Sequence, residues 1–227
     1  MGFYRGPNIV TDGLVFTYDA GSTRSYPGSG TTVSNIIGGL TGTLQNGVTF
    51  NSADGGFWEF DGVDQYISIA NANSPQFTTN QAFTISYVLK LNSITAGGFY
   101  APIMKGSFGA SYGHLILTDD LLVYTDSDSS PEYTFSNVFT NDLNEWVFIT
   151  QTYDGNRIYL YRNGEFFGQS GTGIGFTVST ATLYIGSNNS SVYYLDGDIA
   201  NLKMYNKALS ATEVTQNFNA QKSRFGL

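Results

Sequence analysis

The stretch Trp146–Gln169 reads WVFITQTYDGNRIYLYRNGEFFGQ, and its alternation and two turns decide the fold class. Val147, Ile149 and Gln151 alternate with Trp146, Phe148, Thr150 and Thr152 in a β-branched and aromatic run, the pattern of a strand. Asp154-Gly155-Asn156 then reverses the chain. Over Arg157–Arg162 the aliphatic Ile158 and Leu160 alternate with Tyr159 and Tyr161, which suits a sheet covered on one face and partly covered on the other. Asn163-Gly164 supplies the two positive-φ residues of a type I′ hairpin, so Glu165–Gln169 is expected to fold back as a third strand. Three antiparallel strands joined by tight turns predict an all-β protein.

The rest of the chain continues this pattern. FTISYVLKL (Phe83–Leu91) places Phe83, Ile85, Tyr87, Leu89 and Leu91 on one face and reads as a long central strand. Trp58 and Phe60 alternate with Glu59 and Asp61, and after Gly62 the run Tyr66–Ile69 completes a core hairpin. Further strands are predicted at Leu14–Tyr18, Gly42–Leu44, Val48–Phe50, Ala101–Lys105, Gly113–Leu117, Leu121–Thr125, Glu132–Phe135, Thr182–Ile185 and Ile199–Tyr205. Turns spaced by about ten residues indicate a two-sheet antiparallel sandwich. The period changes only near the end. Ser210 three residues before Glu213 makes a capping box, and Leu209 with Val214 a hydrophobic staple, predicting one short C-terminal helix over about 210–221.

Composition supports one domain. With 227 residues, 41% hydrophobic and 12% charged, the chain is ordinary for a single sandwich, read as an N-terminal arm over 1–12 followed by one domain over 13–227. The absence of cysteine excludes disulfides and thiolate metal sites. A net charge of −8, with ten Lys and Arg scattered singly, argues against a nucleic-acid partner. No apolar run approaches the ~18 residues of a spanning helix, and the N-terminus has no apolar core of a signal peptide, so a soluble protein without membrane insertion is expected.

GLVFTYDAGSTRSYPGSGTT, FDGVDQYISI, FTISYVLKL, WVFITQTYDGNRIYLYRNGE, LYIGS and the ending GDIANLKMYNKALSATEVTQNFNAQKSRFG occur in this order. Together they resemble the concanavalin A-like lectin/glucanase superfamily in its laminin G-like form, over nearly the whole chain. The combination of SYPGSGTT with YNKALSATEV is similar to the variant found in virion proteins of tailed, often marine, phages. The resemblance implies a concanavalin A-like jelly roll. It also implies a non-enzymatic virion structural protein: a capsid decoration, head fibre or tail-associated adhesin that contacts host surface glycans. On that reading the protein is assembled in the host cytoplasm and displayed on the particle surface. The arm anchors it to capsid or tail proteins, and it forms a homo-oligomer, a trimer where such parts sit on capsid three-folds. A carbohydrate-binding or adhesion module of a cellular protein is the alternative, and a glucanase a third.

Candidate chemistry is sparse. Glucanases of this fold carry carboxylates in an E-x-D-x-E or E-x-D-x-x-E pattern, and Glu59-Phe60-Asp61-Gly62-Val63-Asp64 is the nearest string here. Gly62 breaks the strand before a third acid, and no second carboxyl partner is visible by spacing, so no catalytic residue is assigned. The lone His114, in no visible triad motif, is a candidate ligand donor for hydroxyls, beside the ring-bearing Tyr112 and Tyr133. Tyr100, Phe108, Tyr193 and Tyr194 are further aromatics in or beside predicted loops, where rings can stack on sugars, meet a subunit or pack on their own domain. The resemblance also implies a structural calcium ion at the sandwich rim, with Asp64 and Asp196 as ligands. The family often writes FDGVDDY and G-x-I-D, and Gln65 and Ala200 replace one acid in each. No other cofactor is expected. Asp126-Ser127-Asp128 reads as a solvated acidic turn.

Overall fold

In the computed structural model, which describes residues 7–106, 112–125, 133–189 and 191–227, the alternating runs become sixteen strands. The first eight are β1 (Leu14–Asp19), β2 (Thr32–Ser34), β3 (Thr41–Gln45), β4 (Thr49–Asn51), β5 (Phe57–Asp61), β6 (Tyr66–Ile69), β7 (Phe83–Leu91) and β8 (Phe99–Lys105). Then follow β9 (Gly113–Leu117), β10 (Asp120–Tyr124), β11 (Tyr133–Phe135), β12 (Trp146–Tyr153), β13 (Ile158–Arg162), β14 (Glu165–Gln169), β15 (Leu183–Ile185) and β16 (Asp196–Tyr205). One helix, α1 (Ala211–Asn219), packs behind them. Among the described residues no helix is long and apolar enough to cross a membrane.

The strands form two antiparallel sheets. The first runs β14-β13-β12-β7-β16-β5-β4, with β1 also paired to β16; the second runs β11-β10-β9-β8-β15-β6-β3-β2. The expected two-sheet sandwich with one C-terminal helix is therefore present. The β2 strand falls in a Gly- and Ser-rich stretch where alternation predicts no strand, and it forms because Thr32–Ser34 finds a partner in β3.

At the turn that decides the hairpin, Asn163 and Gly164 take φ of 50° and 79°, the left-handed pair a type I′ turn requires. A Cβ on Gly164 would stand 2.7 Å from the Phe218 ring on α1. Gly164→Ala is therefore expected to cost about 2 kcal/mol through left-handed strain and overpacking. The readout is a lower urea midpoint at unchanged m-value; an unaltered midpoint would mean that the helix does not press on the turn.

Between the sheets the inward residues of every long strand meet. Val147, Ile149, Tyr153, Ile158 and Leu160 join Phe83, Ile85, Tyr87 and Leu89 in the main core, with Phe77 and Phe176 entering from irregular segments. In β16, Ile199 and Leu202 have opposite parity yet both lie in this core. The register shifts between Ile199 and Asn201, so Ala200 is a bulge residue that turns Leu202 and Met204 inward.

The outer face of the first sheet is also covered. Trp146 and Phe148 belong to a second apolar cluster beneath Phe218 and Phe225, with the Trp146 and Phe225 rings 5.1 Å apart. Trp146 is thus buried by the C-terminal segment and not by the inter-sheet core. Ser210 caps α1 as expected, its hydroxyl accepting from the Glu213 N–H while the Glu213 carboxylate accepts from the Ser210 N–H.

The expected arm over 1–12 needs correction from Asn8 onward; residues 1–6 lie outside the described residues. Val10 is buried beside Tyr205, Leu209 and Val214, because its apolar side chain fills the gap between β16 and α1. Its N–H donates to Asn217 Oδ1 at 2.8 Å, its carbonyl accepts from the Tyr205 hydroxyl at 3.1 Å, and the Asn8 carbonyl accepts from Gln216 Nε2. Residues 8–12 are part of the domain's own packing.

Candidate functional site

The residues singled out for ligand contact separate in space. His114 lies on β9 with no exposed surface, its side chain turned between the sheets. Nδ1 accepts from the Tyr87 hydroxyl at 2.9 Å, and Nε2–H donates to Gln151 Oε1 on the facing sheet. Burial pushes its pKa down to about 4, against a smaller upward pull from Gln151, so the imidazole is neutral at physiological pH. It is a satisfied core histidine and not a rim donor, because alternation on β9 points it inward between Tyr87 and Gln151. Tyr112 is equally enclosed. It packs among Phe77, Phe83 and Phe176, and its hydroxyl donates to the Pro75 carbonyl. Tyr133 is half-buried at the start of the edge strand β11, with its ring 4.7 Å from Phe135. These three share no common cleft. Phe108 and the turn Asp126-Ser127-Asp128 lie outside the described residues.

At the rim, Asp196 stands across from Asp61 in the β16–β5 ladder, and its Oδ2 accepts from the Ser93 hydroxyl. Asp61 Oδ1 accepts from the N–H groups of Val63 and Asp64, which closes the turn on itself. Asp64 is exposed. Among the described residues no group of three or more His, Asp or Glu is placed to hold a metal ion. Asp64 and Asp196, the expected calcium ligands, are thus joined by no third acidic or imidazole side chain in such a cluster among the described residues.

A carboxyl partner for Glu59 does emerge, on a strand far away in sequence. Asp198 is the direct cross-strand neighbour of Glu59, and Lys90 flanks Asp198 on the other side. Each acid is already engaged. Lys90 Nζ lies 2.7 Å from Asp198 Oδ2 and sits over the Phe57 and Trp146 rings at 4.7 and 4.8 Å. Glu59 accepts from Thr49 and Asn51, which hold its carboxyl below the ordinary value. Burial holds the Asp198 carboxyl above its ordinary value, Lys90 opposes the rise, and Glu59 and Asp196 add to it. Phe225 covers the neighbouring Trp146 ring.

A partly exposed aromatic surface lies on the outer face of the second sheet. Ile67, Ile69, Leu183 and Ile185 point into the core, so the alternate residues Tyr66, Ser68 and Tyr184 point out. Pairing of β6 with β15 and β3 sets Ser68 between Tyr184 and Thr43, and Tyr66 beside Gln45. The Tyr66 ring lies 5.9 Å from Tyr184 and 6.4 Å from Tyr194, and all three are half-buried. Gln45 Nε2 donates to the Ser68 hydroxyl at 2.9 Å. Burial, then Tyr66 and Asp64, hold the Tyr194 hydroxyl above its ordinary pKa. Flat rings beside hydroxyl and amide groups suit hydroxyl-rich ligands. Of these residues only Tyr194 stood out in the sequence. Tyr66 and Tyr184 carried a usable signal, since each alternates with aliphatic neighbours.

Comparison with known proteins adds the lineage. The model of the concanavalin A-like lectin/glucanases superfamily matches residues 61–215. The chain belongs to this superfamily. No curated protein matches it in sequence. Among solved structures, the binding domain of botulinum neurotoxin serotype G superposes with a TM-score of 0.73 at 16% identity, over 92% of this chain and 51% of that one. A binding domain of botulinum neurotoxin DC, in complex with rat synaptotagmin II, gives 0.69 at 15% identity, over 92% and 52%. A mutant of Trypanosoma rangeli sialidase displaying trans-sialidase activity gives 0.68 at 15% identity, over 96% and 35%. The chain spans about half the length of the toxin domains it matches. At such identities these likenesses show the fold alone.

As a concanavalin A-like jelly roll, the domain could carry either a sugar-binding or a hydrolytic site, so the distinction rests on its own residues. The paired acids Glu59 and Asp198 are held by Lys90, Thr49 and Asn51 under a covered tryptophan. The tyrosine surface is partly exposed.

Proposed function

We propose that this concanavalin A-like domain is a non-enzymatic glycan-binding module borne on a tailed-phage virion, as a capsid decoration, head fibre or tail-associated adhesin. The observation that carries the binding reading is the partly exposed Tyr66, Tyr184 and Tyr194 cluster beside Ser68 and Gln45. The engaged state of Glu59 and Asp198 supports recognition over catalysis. The virion assignment is supported by the phage-like combination of sequence motifs.

A glycan array probed with the whole chain tests binding. The expected result is selective signal that Tyr184→Ala weakens about tenfold, the 1.4 kcal/mol scale of a stacked ring. A blank array, or one unaffected by this variant, would sink the reading. Mass spectrometry of purified particles decides between a virion component and a cellular adhesion module, the second reading. A truncation that tests attachment to the particle should end before Asn8, since Asn8 and Val10 hold α1.

A further inference from the structure

Phe166 and Phe167 are 56% and 38% exposed on β14, the edge strand of the first sheet. Edge strands are usually blunted by charge or proline, so two consecutive exposed rings call for a partner. Their placement has a local cause. The β13–β14 register shifts between Leu160 and Tyr161, pairing Tyr161 with Phe166 and Leu160 with Gly168, which leaves Phe167 as the extra residue.

Beside these rings lies a cleft of about 260 Å³, walled by Asn137, Thr140, Asp142, Arg162 and Glu165. The polar wall is pre-set. Arg162 Nε donates to the Val138 carbonyl at 2.9 Å and Nη2 pairs with Asp142 Oδ1 at 2.5 Å. The left-handed Asn137 and Asn141 shape the loop, and the Asn137 N–H donates to Asp120 Oδ1. Asp142 Oδ2 has no hydrogen-bond partner among the described residues.

We propose that this cleft is a second carbohydrate subsite that takes a neutral pyranose residue, its C–H face on Phe166 and its hydroxyls toward Arg162, Asp142 and Asn137. The inference rests on the glycan-binding reading and deepens it. Two carboxylates against one guanidinium leave the wall net negative, which disfavours sialic and uronic acids. The chain's net charge of −8 likewise disfavours a second copy as the occupant.

The test is a ¹H–¹⁵N titration of the whole labelled chain with methyl β-D-glucopyranoside, methyl β-D-galactopyranoside and N-acetylneuraminic acid. A neutral glycoside should shift the amides of Asn137, Thr140, Glu165, Phe166 and Phe167, and N-acetylneuraminic acid should not. Phe166→Ala, at an exposed position, should weaken that response about tenfold, and Arg162→Lys should weaken it while leaving the fold intact. Shifts confined to Tyr66, Tyr184 and Tyr194 would overturn this subsite and keep the glycan-binding reading. Equal or stronger shifts with the acidic sugar, or concentration-dependent broadening at Phe166 without sugar, would also overturn it. Silence throughout together with a blank array would remove both.

Discussion

Asp198→Ala is expected to destabilise the domain by about 3–5 kcal/mol, the cost of leaving a buried cation without its counter-ion. Lys90 is the stranded group. Its Nζ is wedged between Asp198 and the Phe57 and Trp146 rings, and only a fifth of its side chain reaches solvent. The pair itself stands close to break-even, since burial keeps the Asp198 carboxyl above its ordinary pKa despite the contact with Lys90. Replacing both partners by apolar residues, Lys90→Met with Asp198→Leu, should therefore recover most of the loss. Urea unfolding of the two single variants and the double variant completes a cycle that isolates the coupling. A silent Asp198→Ala would show that the pair does not brace the sheet, and would reopen Glu59 and Asp198 as free carboxylates. Reducing-sugar release from a polysaccharide panel, abolished by Glu59→Gln, would then be the sign of a hydrolase.

Acid is expected to unfold the domain through its single histidine. His114 has a folded pKa pushed down to about 4, below the ~6.5 of an unfolded chain. Above pH 6.5 both states are neutral at this position and no stability is lost. As pH falls toward 4 the unfolded chain takes up a proton that the folded core refuses, so stability drops by up to about 3 kcal/mol. Between pH 7 and 5 the drop should be about 2 kcal/mol, in a window where ordinary Asp and Glu do not titrate. Denaturant unfolding at pH 5, 6 and 7 reads it directly. His114→Asn should lower the starting stability, because Tyr87 and Gln151 lose their partner, yet show a flat profile over that window. A variant as acid-sensitive as the parent would refute the assignment.

Much of the scaffold was legible in the chain. Alternation located the long strands, with Phe83–Leu91 bounded as found, and Asn163-Gly164 announced the hairpin because few other pairs accept two positive φ angles. Ser210 and Glu213 marked the helix start, since their side chains satisfy N–H groups that a helix leaves free. The candidate site was far less legible. Tyr112 and His114 stood out by residue type, yet both are enclosed, and alternation alone does not say whether a strand's second face meets solvent or more protein.

The sequence by itself determined the all-β class, most strand and turn positions, the capped C-terminal helix and the superfamily. The first three follow from local periodicity and backbone preference, which act within a few residues, whereas the superfamily follows from the resemblance of whole motifs. Only the tertiary structure decided that Trp146 lies under Phe225, that Glu59 faces Asp198, and that Tyr66 meets Tyr184 on an open face. Each of those neighbours comes from strand pairing across many residues. Such pairing depends on which sheet a strand joins and on single-residue bulges such as Ala200 and Phe167, neither of which period-2 alternation encodes.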